Sequence, residues 1–237
     1  MRESEVPGPV LKFCVVIPAY REEGRIGKVV EGVRKHAEHV VVVDDGSPDN
    51  TAAEAEKAGA TVLRHAVNRG KGNALNTGFD HARKNGFEFV ITLDADGQHD
   101  PDEIPSFVEA YRRTGVPVLV GNRMDHAGTM PLDRWLTNKT MSWMLSLRMG
   151  QRVPDTQVGY RLYRCDIIPR VPEESGRFAA ESEILMLLAE QGVRIGAVPV
   201  KVIYRDEKSE IHPFKDTIRF FSMLLRHERM ARGRRSR

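Results

Sequence analysis

The chain has 237 residues, 41% of them hydrophobic and 29% charged, with a formal net charge of +3. That length suits one large α/β domain, or one domain with a small appendage, and leaves ample apolar material for a core. No stretch approaches the roughly 18 apolar residues that span a bilayer, and MRESEVPGPVLK has no signal-peptide apolar region, so an integral membrane protein is excluded in favour of a soluble or peripheral one.

KFCVVIP reads as a buried strand stopped by Pro18, and GRIGKVVEGVRKHA sets Ile26, Val29, Val30 and Val33 on one helical face. HVVVVDDGS is β-branched and too short for most helices, hence a second strand covered on both faces. TAAEAEKAG is a short helix, with capping-box spacing from Thr51 to Glu54 and a stop at Gly59. ATVLRH follows as a third strand, GNALNTGFDHARKNG as a helix aligning Leu75, Phe79 and Ala82, and FEFVITL as a fourth strand. Asp100 and Pro101 take cap and first-turn positions of the helix DPDEIPSFVEAYRR, and PVLVGNR is a fifth strand. Repeated βα units with short connections predict an open parallel sheet with helices on both faces.

After Arg123 the rhythm breaks. Residues 124–131 read as a loop, and DRWLTNKTMSWMLSLRMG as an apolar helix rich in Met and Trp, made either for core packing or for a lipid-facing surface. DTQVGYRLYR reads as a strand, ESEILMLLAEQG as a helix and VRIGAVPVKVIYR as a long strand. FKDTIRFFSMLLRHERMARGRR closes the chain as a basic amphipathic helix with Ile218, Phe221, Leu224 and Leu225 on one side, suited to a membrane interface or to packing. Its arginine-dense end, RHERMARGRRSR, points to an anionic partner, a membrane surface or a nucleic acid. No nucleic-acid module or interleaved aromatics accompany it, which argues against nucleic acid. Cys14 and Cys165 read as buried free thiols, in keeping with a cytoplasmic address.

In open parallel sheets ligands gather at the carboxyl ends of the strands. Those ends are PAYRE at Pro18 to Glu22, DDGS at Asp44 to Ser47, NRGKG at Asn68 to Gly72, DADGQ at Asp94 to Gln98 and GNR at Gly121 to Arg123. A lone D-x-D is usually a solvated turn, but five polar strand ends on one edge point to a site. Asp94 and Asp96, as i and i+2 of an extended segment beside Gln98, suit a hard divalent cation shared with substrate phosphates. Lys71, between Gly70 and Gly72, meets a phosphate or steadies an acidic loop. Neither the Walker pattern nor the dinucleotide glycine fingerprint is present.

Together, VVIPAYREE, VVVDDGSPDNT, NRGKGNAL, LDADGQHDP and DTQVGYRLYR resemble the ordered motif series of family 2 glycosyltransferases, above all the dolichol-phosphate mannose synthase and polyprenol-phosphate glycosyltransferase branch, across residues 12–205. The resemblance implies a GT-A fold, that is, a Rossmann-like, mostly parallel central sheet with helices on both faces. It also implies a nucleotide-sugar donor (a GDP- or UDP-hexose), Mg²⁺ or Mn²⁺, and inversion at the anomeric carbon. The expected layout is a catalytic domain over 1–212, with a donor half at 12–123 and an acceptor half at 124–212, followed by the basic helix and tail at 213–237. A lipid phosphate acceptor would place the protein in the cytoplasm, peripheral on the inner membrane face.

By the same resemblance, Pro18, Tyr20 and Glu22 serve the nucleoside and Asp45 its base or ribose. Asp94, Ala95 and Asp96 lie at the diphosphate, and Asp94, Asp96 and Gln98 hold the metal. Arg123 and Arg134 take phosphate charge, while Asp155, Thr156 and Gln157 line the acceptor side with Arg161 near them. Glu181 and Glu183 either face the sugar or form a solvated helix face, and Arg205 and Lys208 stand in a segment that matches the branch only loosely. A phosphate acceptor needs no strong base; for a hydroxyl acceptor on a glycan or small metabolite, Asp155 is the candidate general base. A nucleotidyltransferase would open with a Gly-rich, Arg-containing loop, which IPAYREEG is not, and a non-enzymatic nucleic-acid binder would leave the acidic cluster unexplained.

Overall fold

The computed structural model describes residues 11–124, 132–172 and 180–201. The strands are β1 (Phe13–Ala19), β2 (Val40–Asp44), β3 (Thr61–Arg64), β4 (Phe89–Thr92), β5 (Val118–Asn122), β6 (Arg161–Arg164) and β7 (Ile195–Pro199). Among the described residues they form one sheet in the order β3-β2-β1-β4-β6-β5-β7, parallel throughout except for β6. The helices are α1 (Ile26–Val33), α2 (Thr51–Lys57), α3 (Lys71–Lys84), α4 (Ile104–Thr114), α5 (Leu132–Met149) and α6 (Ala180–Glu190). This is the expected α/β architecture, and the order reverses between β1 and β4, where such sheets open a crevice for ligands.

The local reasons are plain in the sequence. Every residue of β2 is buried, as a continuous valine run requires under cover on both faces. Ile26, Val29, Val30 and Val33 form the buried face of α1. Pro18 does not stop β1 but lies within it, opposite Val43 of β2. It is tolerated there because β4 ends its pairing opposite Val16, leaving that edge of β1 without a ladder to feed. α3 lies close on β1: a Cβ on Gly78 would stand 2.3 Å from Val16 Cγ1. That approach fixes where the first residue of α3, Lys71, begins.

Two local expectations are corrected. The Thr51–Glu54 capping box does not form, because both side chains are committed elsewhere: Thr51 Oγ1 accepts from Glu22 N at 2.8 Å and Glu54 Oε2 from Gly24 N at 2.7 Å. DTQVGYRLYR is strand only from Arg161 to Arg164; the preceding residues form an irregular loop, bonded to α5 through the Thr156 backbone N–H and to α6 through the Gln157 side chain. Cys14 and Cys165 are buried and free, as expected, and burial pushes their thiols up to about 12 and about 11.

Among the described residues no helix is long and apolar enough to cross a membrane. The expected helix at 213–237, Arg205, Lys208 and the loop at 125–131 lie outside the described residues, and so does the Arg134 side chain.

Candidate active site

The carboxyl ends of β1, β2, β4 and β5 lie along one edge of the sheet, and β6, running the other way, begins there. At the end of β1 the chain turns through Arg21, whose φ of 59° is left-handed. The turn is held from outside, by Arg21 N donating to Ser47 Oγ at 3.0 Å and by the α2 side chains. Glu22 is thereby placed facing the acidic turn after β4. Burial raises its carboxyl to about 7; Arg25, in a 3.1 Å ion pair, opposes the rise, and Asp96 and Asp94 add to it. A carboxylate whose folded value lies above its unfolded one gives stability that is full below about 4.5 and lost as the pH rises through about 7. With chelator and without nucleotide, Glu22→Gln should therefore gain about 2 kcal/mol relative to the parent between pH 5 and pH 8. Urea titrations at the two pH values check this, and parallel curves for the two proteins would contradict it.

Asp45 is buried and turned into the protein. Its Oδ1 meets His65 Nδ1 at 2.7 Å and accepts from Arg69 N at 2.9 Å, and its Oδ2 accepts from Gly70 N at 2.7 Å. The resemblance puts Asp45 at a base or ribose, and in the structure the same carboxylate grips the turn that launches α3. That grip sets Lys71, whose Nζ is 2.5 Å from Asp94 Oδ1 and also pairs with Glu181 on α6. Lys71 thus steadies the acidic turn and ties it to the second half of the chain. Burial opposes the Lys71 charge, but Asp94 and Glu181 outweigh it and hold the ammonium above its usual range. Burial likewise works against ionised Asp94, yet Lys71 and His99 keep that carboxyl far below the carboxylate range.

Asp94 and Asp96 sit in a turn, not on an extended segment. Asp96 Oδ1 accepts from Gln98 N at 2.9 Å and Gly97 takes φ 72°, which folds the chain back. Burial and the neighbouring Asp94 raise the Asp96 carboxyl. Among the described residues no three His, Cys, Asp or Glu side chains gather into a cage that would hold a metal by themselves. What is present is a half-buried carboxylate pair, in which Lys71 is paired with Asp94 and not with Asp96. That donor set fits a hard cation held by one or two carboxylates and completed by substrate phosphates.

Across the edge, Arg123 donates from Nε and Nη2 to both oxygens of buried Asp155, at 2.6 and 3.0 Å. Thr156 N donates to Ser142 Oγ of α5 at 2.9 Å, and Gln157 Nε2 donates to Ser182 Oγ of α6 at 3.0 Å. Arg161 is fully buried and donates to Val158 O, Tyr163 Oη, Glu181 O and Thr156 O, so it staples the loop to β6 and α6. Glu181 and Glu183 are buried too, which corrects the solvated-face alternative.

Sequence reasoning gave no role to Gly159. A Cβ there would stand 2.3 Å from Asp94 Oδ2 and 2.4 Å from Oδ1. Its signal was available: a glycine leading into a buried strand marks a close approach.

Residues 14–171 match the family described as glycosyl transferase family 2. The chain is 31% identical over 215 residues to UDP-N-acetylglucosamine–dolichyl-phosphate N-acetylglucosaminyltransferase of Methanococcus voltae, covering 81% of this chain and 86% of that one. It is 28% identical over 213 residues to polyprenol monophosphomannose synthase of Mycolicibacterium smegmatis, covering 84% and 80%. Among solved structures, glucosyl-3-phosphoglycerate synthase from Mycobacterium tuberculosis in complex with UDP aligns with a TM-score of 0.67 at 19% identity, over 90% of this chain and 80% of that one. The same synthase has been solved with Mn²⁺, UDP and phosphoglyceric acid, at a TM-score of 0.65, over 84% of this chain and 72% of that one.

Proposed function

We propose that this chain, which belongs to glycosyl transferase family 2, moves a hexose from a GDP- or UDP-sugar to a polyprenyl phosphate, using Mg²⁺ or Mn²⁺ and inverting the anomeric carbon. Its being a glycosyltransferase retires the non-enzymatic reading. The observation that carries the finer reading is the meeting on one sheet edge of the Asp94–Asp96 turn, steadied by Lys71, and the Arg123 guanidinium, held in a fixed plane by Asp155. The first suits a cation and diphosphate, the second an anionic acceptor. Relatives named for dolichyl phosphate and polyprenol support that acceptor, and the Mn²⁺ and UDP of the mycobacterial synthase support the donor side.

In this mechanism the nucleoside diphosphate leaves and gathers negative charge. A divalent cation, held by Asp94 and Asp96 with Gln98 beside them, would supply Lewis-acid neutralisation of that charge. Pro18, Tyr20 and Glu22 frame the nucleoside. Lys71 keeps Asp94 ionised and in place. Arg123 contributes fixed positive charge for a phosphate, and Asp155 is its positioning residue: a bidentate carboxylate partner sets the guanidinium plane. An acceptor phosphate is already anionic near neutral pH and attacks without a base. A hydroxyl acceptor would need one, and Asp155 is engaged with Arg123, so the geometry favours the phosphate.

Calorimetric titration of GDP and of UDP, each with Mn²⁺ and with chelator, tests the donor reading. One nucleotide should bind only with metal, and Asp96→Ala should weaken it about 100-fold. Absence of binding under every condition would overturn the reading.

A further inference from the structure

The grip of Asp45 on the turn before α3 is itself held from behind. Asp45 N donates to Ala19 O at 2.9 Å, so its backbone continues the pairing of β2 with β1. Its side chain reaches the other way. Arg69 N and Gly70 N both donate to the carboxylate, and Gly70 takes φ 89°, which lets the two consecutive N–H groups converge. Converging donors at the start of a helix form an anion cradle. Here the protein's own carboxylate fills it.

One imidazole fixes that carboxylate. His65 follows β3 directly, its backbone N–H donates to Asp44 O at 2.9 Å, and its side chain is 8% exposed. Nδ1 lies 2.7 Å from Asp45 Oδ1 and donates to it, because a carboxylate that already serves two N–H groups only accepts. Nε2 lies 2.9 Å from Oγ1 of Thr77, in the second turn of α3. A ring bonded at both nitrogens cannot rotate without giving up a partner. β2, β3 and α3 are thereby joined at one side chain, and α3 is already seated on β1 through Gly78. The residue after Gly70 is Lys71, whose Nζ holds Asp94 at 2.5 Å. A shift of the imidazole is therefore passed through Asp45 to the side chain that sets the acidic turn.

We propose that His65 is a positioning residue of the donor site: its Nδ1–H fixes Asp45 against Arg69 N and Gly70 N, and so sets Lys71 against Asp94, while Thr77 fixes the ring. This deepens the nucleotide-sugar reading and rests on it for its purpose. The role needs a donor at the Nδ1 position, and filling the space is not enough. A side chain that merely packs there needs no such bond.

Two substitutions in the full chain separate the ends of the ring. His65→Asn sets an amide N–H near the Nδ1 position and keeps the Asp45 bond. His65→Gln sets its amide near the Nε2 position, reaches Thr77 and leaves Asp45 without that donor. Both are polar and uncharged, so a packing role would not tell them apart. In calorimetry with GDP and UDP in the presence of Mn²⁺, binding should weaken about tenfold to 100-fold in His65→Gln and His65→Ala, and recover to within about threefold of the parent in His65→Asn. Amide exchange at Arg69 and Gly70, followed by NMR without nucleotide, should quicken about tenfold in His65→Gln and stay near the parent in His65→Asn. Equal behaviour of the Asn and Gln variants would reduce His65 to packing and overturn the proposal. Parental affinity and exchange in His65→Ala would overturn it as well. A parent that binds neither nucleotide fails the donor reading, and the exchange contrast alone then upholds or overturns the hold of His65 on the turn.

Discussion

Gly159→Ala should remove metal-dependent nucleotide binding and lower sugar transfer by about 100-fold to 1,000-fold. The added methyl would stand 2.3 and 2.4 Å from the two Asp94 oxygens, so the carboxylate must move. It has nowhere close to go. Oδ1 is occupied by Lys71 at 2.5 Å, Oδ2 faces His99 Nε2 at 3.5 Å, and Thr92 Oγ1 donates to Gly159 O at 2.7 Å, which holds the glycine backbone against β4. A displacement of about 1 Å at a reacting centre costs on the order of 100-fold, and overpacking adds about 1–3 kcal/mol of instability. Gly27→Ala is the control. Its methyl would find nothing nearer than Glu54 O at 4.0 Å, and alanine within α1 is favoured over glycine. Calorimetry on both variants, with circular dichroism to confirm folding, decides the matter. Parental nucleotide affinity in Gly159→Ala would mean that Asp94 is not a donor-site residue.

Lys71→Met should be the most destabilising single change in the site. It leaves Asp94 and Glu181 as neighbouring carboxylates without their shared cation. Breaking a buried ion pair from one side costs about 3–5 kcal/mol, and because the Lys71 side chain is 27% exposed the lower end applies, about 3 kcal/mol. For a chain of this size the melting temperature should fall by about 10 °C. Lys71→Met with Glu181→Gln should recover a large part of that loss, because the second carboxylate is then neutral. Acid behaviour should change as well. A depressed Asp94 gives the parent stability that is present above the ordinary aspartate value of 3.8 and lost as the pH falls below it. Lys71→Met should lose stability near neutral pH and show a flatter acid limb. Equal melting temperatures for parent and Lys71→Met would remove the bridge from the account.

Much of the first half of the chain was legible because its signals are local. The valine run of β2 and the 3.6-residue spacing on α1 each need only their own residues to be read. The strand-end rule then gathered Tyr20 to Glu22, Asp44 to Ser47, Asp94 to Gln98 and Arg123 at one edge before any coordinates. What escaped depends on partners far along the chain. Thr51 and Glu54 have the spacing of a cap, yet the groups they satisfy belong to the turn after β1. The DTQVG stretch alternates like a strand, but Ser142 and Ser182 take its hydrogen bonds and hold it as a loop. Glu181 of α6 looks solvent-bound until Lys71 arrives from α3. The hold of Asp45 on the backbone donors of Arg69 and Gly70 is likewise a contact made across the chain.

The reversed direction of β6 has a consequence for how such a protein diversifies. The chain leaves the edge after Asn122 and returns to it at Arg161, and the two ends are adjacent, with Gly121 N donating to Tyr160 O at 2.9 Å. Between them the described chain is fastened again, by Gln157 to Ser182 of α6 and by Gly159 O to Thr92 of β4. Closing a longer excursion costs only about 0.6 kcal/mol for each doubling of its length. Added length is therefore tolerated away from Gly159, whose fit against Asp94 couples the end of the span to the turn after β4.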